Sequence, residues 1–180
     1  MFVEVDLPWE FPFYSQPKSR LTIYRTGALS FQPGEDRVQY VGIPNSNWPN
    51  DLLAGRWHNS IEGPGGSDHG GWICYDYDET NDRFMVEWHR VAVGDSCLTF
   101  QAILRPDGTI TYQYLDMAFA ADSHQLAVVG VEDFAGRVGL CVKPREELGY
   151  IHNNLAIDFR QVAWLSVGAK SGTVPPGGSI

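Results

Sequence analysis

An aromatic run punctuated by prolines, Leu7-Pro8-Trp9-Glu10-Phe11-Pro12-Phe13-Tyr14, sets the architecture at the start of this chain. Pro12 cannot donate to a ladder, so residues 11–14 are expected as a short strand at a sheet edge or at its entry. Residues 20–25 and 28–32 follow as a hairpin about Thr26-Gly27, where glycine tolerates the positive φ of a tight turn. An edge strand followed by a hairpin builds the corner of an antiparallel sandwich and holds no chemistry. Composition agrees, since 19 glycines and 11 prolines in 180 residues require frequent turns. The 43% of apolar residues is enough for the core of one domain.

The most regular stretch lies in the middle. Residues 72–78, 83–91, 98–105 and 109–115 read as four strands of a meander, with Pro106-Asp107-Gly108 as a hairpin turn. Residues 38–43, 51–58, 125–132, 138–142 and 154–167 are further strand candidates, and residues 144–149 are polar with room for one helical turn. No repeat, heptad or amphipathic helix is visible. The expected fold is all-β, a single antiparallel β-sandwich with jelly-roll-like topology and about a dozen strands. It should occupy residues 1–168, with 169–180 (Ala169 onward, rich in Gly, Pro and Ser) as a linker or tail.

Charge narrows the partners. The net charge is -9, and 13 basic residues are scattered along the chain. A phosphate-binding surface needs clustered Lys and Arg, so nucleic acid is disfavoured, as is an anionic membrane surface. No segment reaches the roughly 18 apolar residues of a membrane span, and Glu4 and Asp6 interrupt any signal-peptide pattern at the start. The chain reads either as cytosolic or as a module of a larger secreted protein, and the tail favours the module. Cys74, Cys97 and Cys141 are odd in number, so they are either small buried thiols or one disulfide and a free thiol. No Cys-x-x-Cys zinc motif occurs.

Several groups could carry chemistry. The loops at 44–50 and 58–71 are flanked by aromatics, and Trp48, Trp57, His58, Asp68, His69 and Trp72 are the candidate ligand-binding residues, with Tyr75 beside them. Aromatic faces next to a Gly-rich loop can stack on sugar rings or clamp a peptide. Asp76, Asp78, Asn81 and Asp82 place several oxygens in one turn, which suits calcium, although the glycine and distal Glu of an EF-hand are missing. His58, Asp68, His69 and His89 would form a metal site only if the Gly-rich loop folds over the sheet. Gly66-Ser67-Asp68-His69-Gly70 is not a triad, because members adjacent in sequence do not point at one another. Glu87, Asp116, Glu132 and Asp133 are the carboxylates available for a glycosidase-like pair. Alternation places Glu87 and His89 on one strand face, opposite Phe84, Val86 and Trp88, and predicts that Trp88 fills the core while Glu87 faces solvent.

Four segments, in conserved order and spacing, resemble a module of secreted bacterial proteins and surface adhesins that recurs beside extracellular peptidases and is nidogen-like in style. Leu7-Pro8-Trp9-Glu10-Phe11-Pro12-Phe13-Tyr14 is similar to its Leu-Pro-Phe-x-Phe-Pro-Phe-Tyr-Gly opening. The stretch from Leu21 to Phe31 resembles its Ser-x-Asn-Gly-x-x-Ser-Phe hairpin, with Thr26 in place of Asn. Ile43-Pro44 through Trp48-Pro49-Asn50-Asp51-Leu52-Leu53-Ala54-Gly55-Arg56-Trp57 is similar to its Pro-Asn-Asn-x-Ile-Ala-Pro-x-Trp stretch. Arg83-Phe84-Met85-Val86-Glu87-Trp88, the strand beginning at Leu98, Asp107-Gly108-Thr109-Ile110 and Val129-Gly130-Val131-Glu132 complete the match. Where such modules often carry acidic residues after the third-segment Trp, this chain has His58-Asn59. The resemblance implies a non-catalytic binding, adhesion or structural module of a secreted or cell-surface protein, with a protein or carbohydrate ligand. A carbohydrate-binding module, a hydrolase using a carboxylate pair or metal, and a homo-oligomeric filament subunit are the alternatives.

Overall fold

Strands alone make up the regular structure of the computed structural model, which describes residues 1–35, 42–58, 70–94, 96–117, 126–145 and 147–161. The expected linker at 169–180 lies outside the described residues, as do most of the strand expected at 38–43 and the loop residues Asp68 and His69. In chain order the strands are β1 (Phe2–Phe13), β2 (Gln16–Tyr24), β3 (Ala28–Ser30), β4 (Leu52–Trp57), β5 (Trp72–Asp78), β6 (Arg83–Val93), β7 (Ser96–Leu104), β8 (Ile110–Asp116), β9 (Val128–Glu132), β10 (Gly139–Lys143) and β11 (Leu155–Phe159). They form a six-stranded sheet, β1-β2-β3-β4-β9-β10, and a five-stranded sheet, β11-β8-β7-β6-β5. Every pairing is antiparallel, and the molecule is a β-sandwich. Each sheet is mostly meander. The chain crosses between the sheets so that β9 returns beside β4 and β11 beside β8, and the expected jelly-roll alternation of successive strands between sheets is replaced by meanders.

The inner faces of both sheets meet in one core that includes Phe11, Leu21, Leu53, Val86, Trp88, Phe100, Leu104, Tyr112 and Val129. Trp88 and Phe100 stack nearly parallel, 4.8 Å between centroids. Three polar tips cross the sandwich. Trp88 Nε1 donates to the Tyr24 carbonyl at 3.1 Å, Tyr112 to that of Gly130 at 3.2 Å, and Tyr114 to that of Gly55 at 2.5 Å. Gly55 lies where the β4–β9 register slips between Ala54 and Trp57, so its carbonyl is released from the ladder and accepts from the opposite sheet. Buried aromatics with a polar tip need such acceptors, and here the acceptors tie the layers together.

The proline-punctuated run is one end of a longer strand. β1 extends from Phe2, and its register with β2 jumps from Asp6–Arg20 to Phe11–Lys18. Pro8 sits inside this bulge and Pro12 on the outer edge strand, the positions where a missing N–H is tolerated. The bulge bends β1 toward the second sheet and places Trp9 5.2 Å from Tyr77 of β5, closing the sandwich along that side.

The two outer faces differ. A second cluster of Tyr24, Ala28, Ile43, Leu52, Ala54, Trp57 and Val128 covers the outside of the six-stranded sheet, so β4 and β9 are buried throughout. Strands buried on both faces read as continuous apolar runs, as Leu52-Leu53-Ala54 and Val128-Val129 do. The outside of the five-stranded sheet carries the exposed residues of β5, β8 and β11.

Candidate functional site

The structure separates the aromatic and loop residues expected to form one binding surface. Trp57 is 1% exposed and belongs to the second core, so it is not a surface platform. His58 is 7% exposed, with its backbone N–H on the Thr26 carbonyl at 3.0 Å, and is likewise withdrawn from the surface. Trp48 is half-buried with its indole against the Tyr24 hydroxyl. Residues 42–51 thus act as a lid on the six-stranded sheet. Trp72 is 49% exposed, and Tyr75, 51% exposed, stacks on Phe84 from the other face of β5.

The turn proposed for calcium is held by its own side chains. Asp78 accepts from the Asn81 side chain at 2.7 Å and from Arg83 at 2.9 Å, and these bonds hold its carboxyl below the usual range. Asp82 accepts from the Tyr77 hydroxyl at 2.8 Å, and Asp76 from the Tyr77 amide at 2.9 Å. Among the described residues no three His, Cys, Asp or Glu side chains come together as a metal site. Arg83 pairs with Asp78 of this turn, while Asp76 and Asp82 accept only from neutral donors of Tyr77. Cys74, Cys97 and Cys141 form no disulfide, and the exposed Cys74 has its thiol pKa raised by partial desolvation and by the Glu87 charge.

A site that local motifs do not announce lies on the open face of the five-stranded sheet. Strand alternation turns Trp72, Glu87, His89, Gln101 and Gln113 outward from β5, β6, β7 and β8. Ladder register aligns Glu87 with Gln101, and Gln101 with Gln113 and then Ala156 of β11. Trp72 stacks on His89, 4.2 Å between centroids and 21° apart. His89 Nδ1 lies 2.9 Å from Glu87 Oε1, and Gln101 donates to the other carboxylate oxygen of Glu87. One aromatic plate is therefore fixed in place by a histidine, a carboxylate and an amide. Phe84, Val86 and Trp88, the alternate residues of β6, are in the core, as the alternation predicts.

Beside that plate runs a trench in two depressions. One, of ≈ 400 Å³, is lined by Glu87, Thr99, Gln101, Gln113, Asn154 and Ala156 among others. The other, of ≈ 520 Å³, is lined by Arg105, Asp107, Thr111, Gln113, Asp158 and Arg160 among others. Gln113 and Ala156 line both, so the depressions adjoin. At the far end Arg105 donates to Thr111 Oγ1 at 2.9 Å, and Thr111 donates to Asp158 at 2.7 Å. Asp158 also pairs with Arg160, and these partners hold its carboxyl below the usual range, the Thr111 bond foremost.

A second polar cluster lies under the lid. Glu132 is 1% exposed, and burial pushes its pKa up to about 7, against the bond it accepts from the Asn45 amide at 2.7 Å. With its amide oriented to satisfy both groups, Asn50 donates to the other Glu132 oxygen at 3.2 Å. Lys18 reaches Asp51 at 2.5 Å, yet burial still raises the Asp51 pKa. Glu132 thereby ties residues 45 and 50 of the lid to β9, and Lys18 ties Asp51 to β2.

Comparison with curated proteins and with solved structures finds no match. The family model described as NIDO related matches residues 2–147, which takes in β1 to β10 and both sheets. With four-fifths of its length inside that match, the chain belongs to the NIDO-related family.

Proposed function

We propose that this chain is a non-catalytic recognition module of extracellular type, and that its ligand face is the open side of the five-stranded sheet. The observation that carries the reading is the asymmetry of the sandwich. One outer face is sealed by a lid and a second core, while the other presents Trp72 half-exposed on a fixed support beside a trench of polar side chains. A surface that needed only solubility would scatter its charges, whereas this one places an aromatic anchor and outward amides in register. Membership of the NIDO-related family supports a module of extracellular type.

The test uses the full chain immobilised on beads and a panel of purified extracellular-matrix proteins and soluble glycans. The paired variant Trp72→Ala with Gln101→Ala is the comparison. At least one component should bind the native chain and be lost with the variant while the melting temperature holds. Binding that is indifferent to these substitutions places the site elsewhere and overturns the reading. Release of reducing ends from a bound glycan, abolished by Glu87→Gln, would make the chain a hydrolase and overturn the non-catalytic part.

A further inference from the structure

We propose that the trench on the five-stranded sheet takes an extended, uncharged oligosaccharide, with one sugar ring on the Trp72 plate and the following rings over Gln101, Gln113 and Ala156. This rests on the open face being the ligand face and names the class of ligand.

Shape comes first. The two depressions adjoin at Gln113 and Ala156, so together they are elongated and fit a chain better than a compact molecule. Ala156 projects too little to block passage between them. Neighbouring strands lie about 4.8 Å apart, so outward groups on β6, β7 and β8 recur at close to the length of one pyranose unit.

Chemistry comes second. A sugar ring offers an apolar face of C–H groups and an equatorial rim of hydroxyls. Trp72 supplies the flat apolar partner, and the His89 ring beneath it keeps the indole from rotating away. Hydroxyls both donate and accept, so planar groups with paired atoms recognise them best. Glu87, Gln101, Gln113, Asn154 and Asp158 are such groups, and all line the trench. A ligand lacking the hydroxyl would leave these groups unpaired once it covered them.

Charge comes third, and it selects against anionic polymers. Arg105 and Arg160 are the trench's cations, and both are engaged with Asp158, Arg160 directly and Arg105 through Thr111. Glu87 and Asp107 add negative charge at either end, on a chain of net charge -9. A uronic-acid or sulfated glycan would meet three carboxylates against two guanidiniums among the described lining residues, whereas a neutral glycan meets no such repulsion. A bound peptide strand would instead add along an open ladder edge, whereas the trench lies on the face of β7, β8 and the edge strand β11.

The experiment is affinity gel electrophoresis of the full chain through soluble neutral polysaccharides (β-glucan, xylan, galactomannan, galactan), with polygalacturonate as the anionic counterpart. Retardation by at least one neutral polymer and none by polygalacturonate is the expected result. Trp72→Ala and Gln113→Ala should each weaken binding roughly tenfold, the value of one aromatic or hydrogen-bonding contact. Both positions are exposed, and circular dichroism melting confirms that the variants fold. No retardation by any neutral polymer, or stronger retardation by polygalacturonate, overturns the sugar assignment. If a matrix protein then binds and is lost with the same variants, the ligand-face reading stands without the sugar. If a neutral polymer binds both variants as tightly as the native chain, both readings fall.

Discussion

Glu132 shows how far a single residue departs from what its neighbours in sequence suggest. Val129-Gly130-Val131-Glu132 reads as the end of a strand, and Glu132 is one of the carboxylates available for a glycosidase-like pair. Its burial comes from residues 42–51, which fold over it from 87 positions away and place the Asn45 amide on its carboxylate. Nothing local encodes that contact. The consequence is a pH dependence with a definite sign. The folded pKa is about 7 against an ordinary value of 4.5, so between these values the folded state holds a proton that the unfolded state has released. Stability from this group is fully present below pH 4.5 and falls as pH rises toward 7, by about 3 kcal/mol in all. The carboxyls held below their usual range, Asp78, Asp107, Asp133 and Asp158, act in the opposite sense only in the acid range beneath their unfolded values. Urea unfolding at pH 5 and pH 8 should therefore show the native chain less stable at pH 8, with Glu132→Gln removing most of the difference. An equal drop in the variant would assign the titration to another group.

At the scale of elements, legibility follows how local the cause is. β5 spans Trp72–Asp78, the residues that alternation selects, and β6 to β8 differ from expectation only at their ends, because the meander is written in alternating residues and short turns. β1 is far longer than residues 11–14 suggest, since its first half is drawn into a strand by pairing with β2. The Thr26-Gly27 hairpin was legible as a turn, and yet its glycine does more than turn the chain. Gly27 has φ +80°, and a Cβ there would lie 2.1 Å from the Arg56 carbonyl oxygen, while its own carbonyl accepts the Arg56 N–H at 3.0 Å. The hairpin is thus pressed against the bulged end of β4. Gly27→Ala should destabilise the fold by about 2–4 kcal/mol, through the positive φ and the backbone clash together. Gly42→Ala, with open space around the new Cβ, should be near neutral. Thermal melts of the two variants decide this, and equal melting temperatures would show that the β2–β3 turn moves freely away from β4.

For the whole molecule, what sequence alone does not display is the stacking of the sheets. The pairing of β9 with β4 and of β11 with β8 joins distant segments, and an outer face exists only once those crossings are made. Trp72 is legible as a candidate ligand residue. Gln101 and Gln113 are not, because their role depends on alignment across β6, β7 and β8 rather than on any motif. The same crossings bear on cooperativity. One core contains residues of both sheets, and Trp88, Tyr112 and Tyr114 each anchor a tip on the opposite layer. Parting the sheets would expose Trp88 and Phe100 and strand three buried donors, so neither layer has a stable folded state without the other. Unfolding should then be a single transition. Tryptophan emission includes that of buried Trp57 and Trp88, which sit in the second core and the main core, and far-ultraviolet circular dichroism reports on strands in both sheets. Their urea midpoints should coincide. Loss of emission at a lower urea concentration than loss of strand signal would mean that the layers separate first, and that the three crossing hydrogen bonds do not couple them.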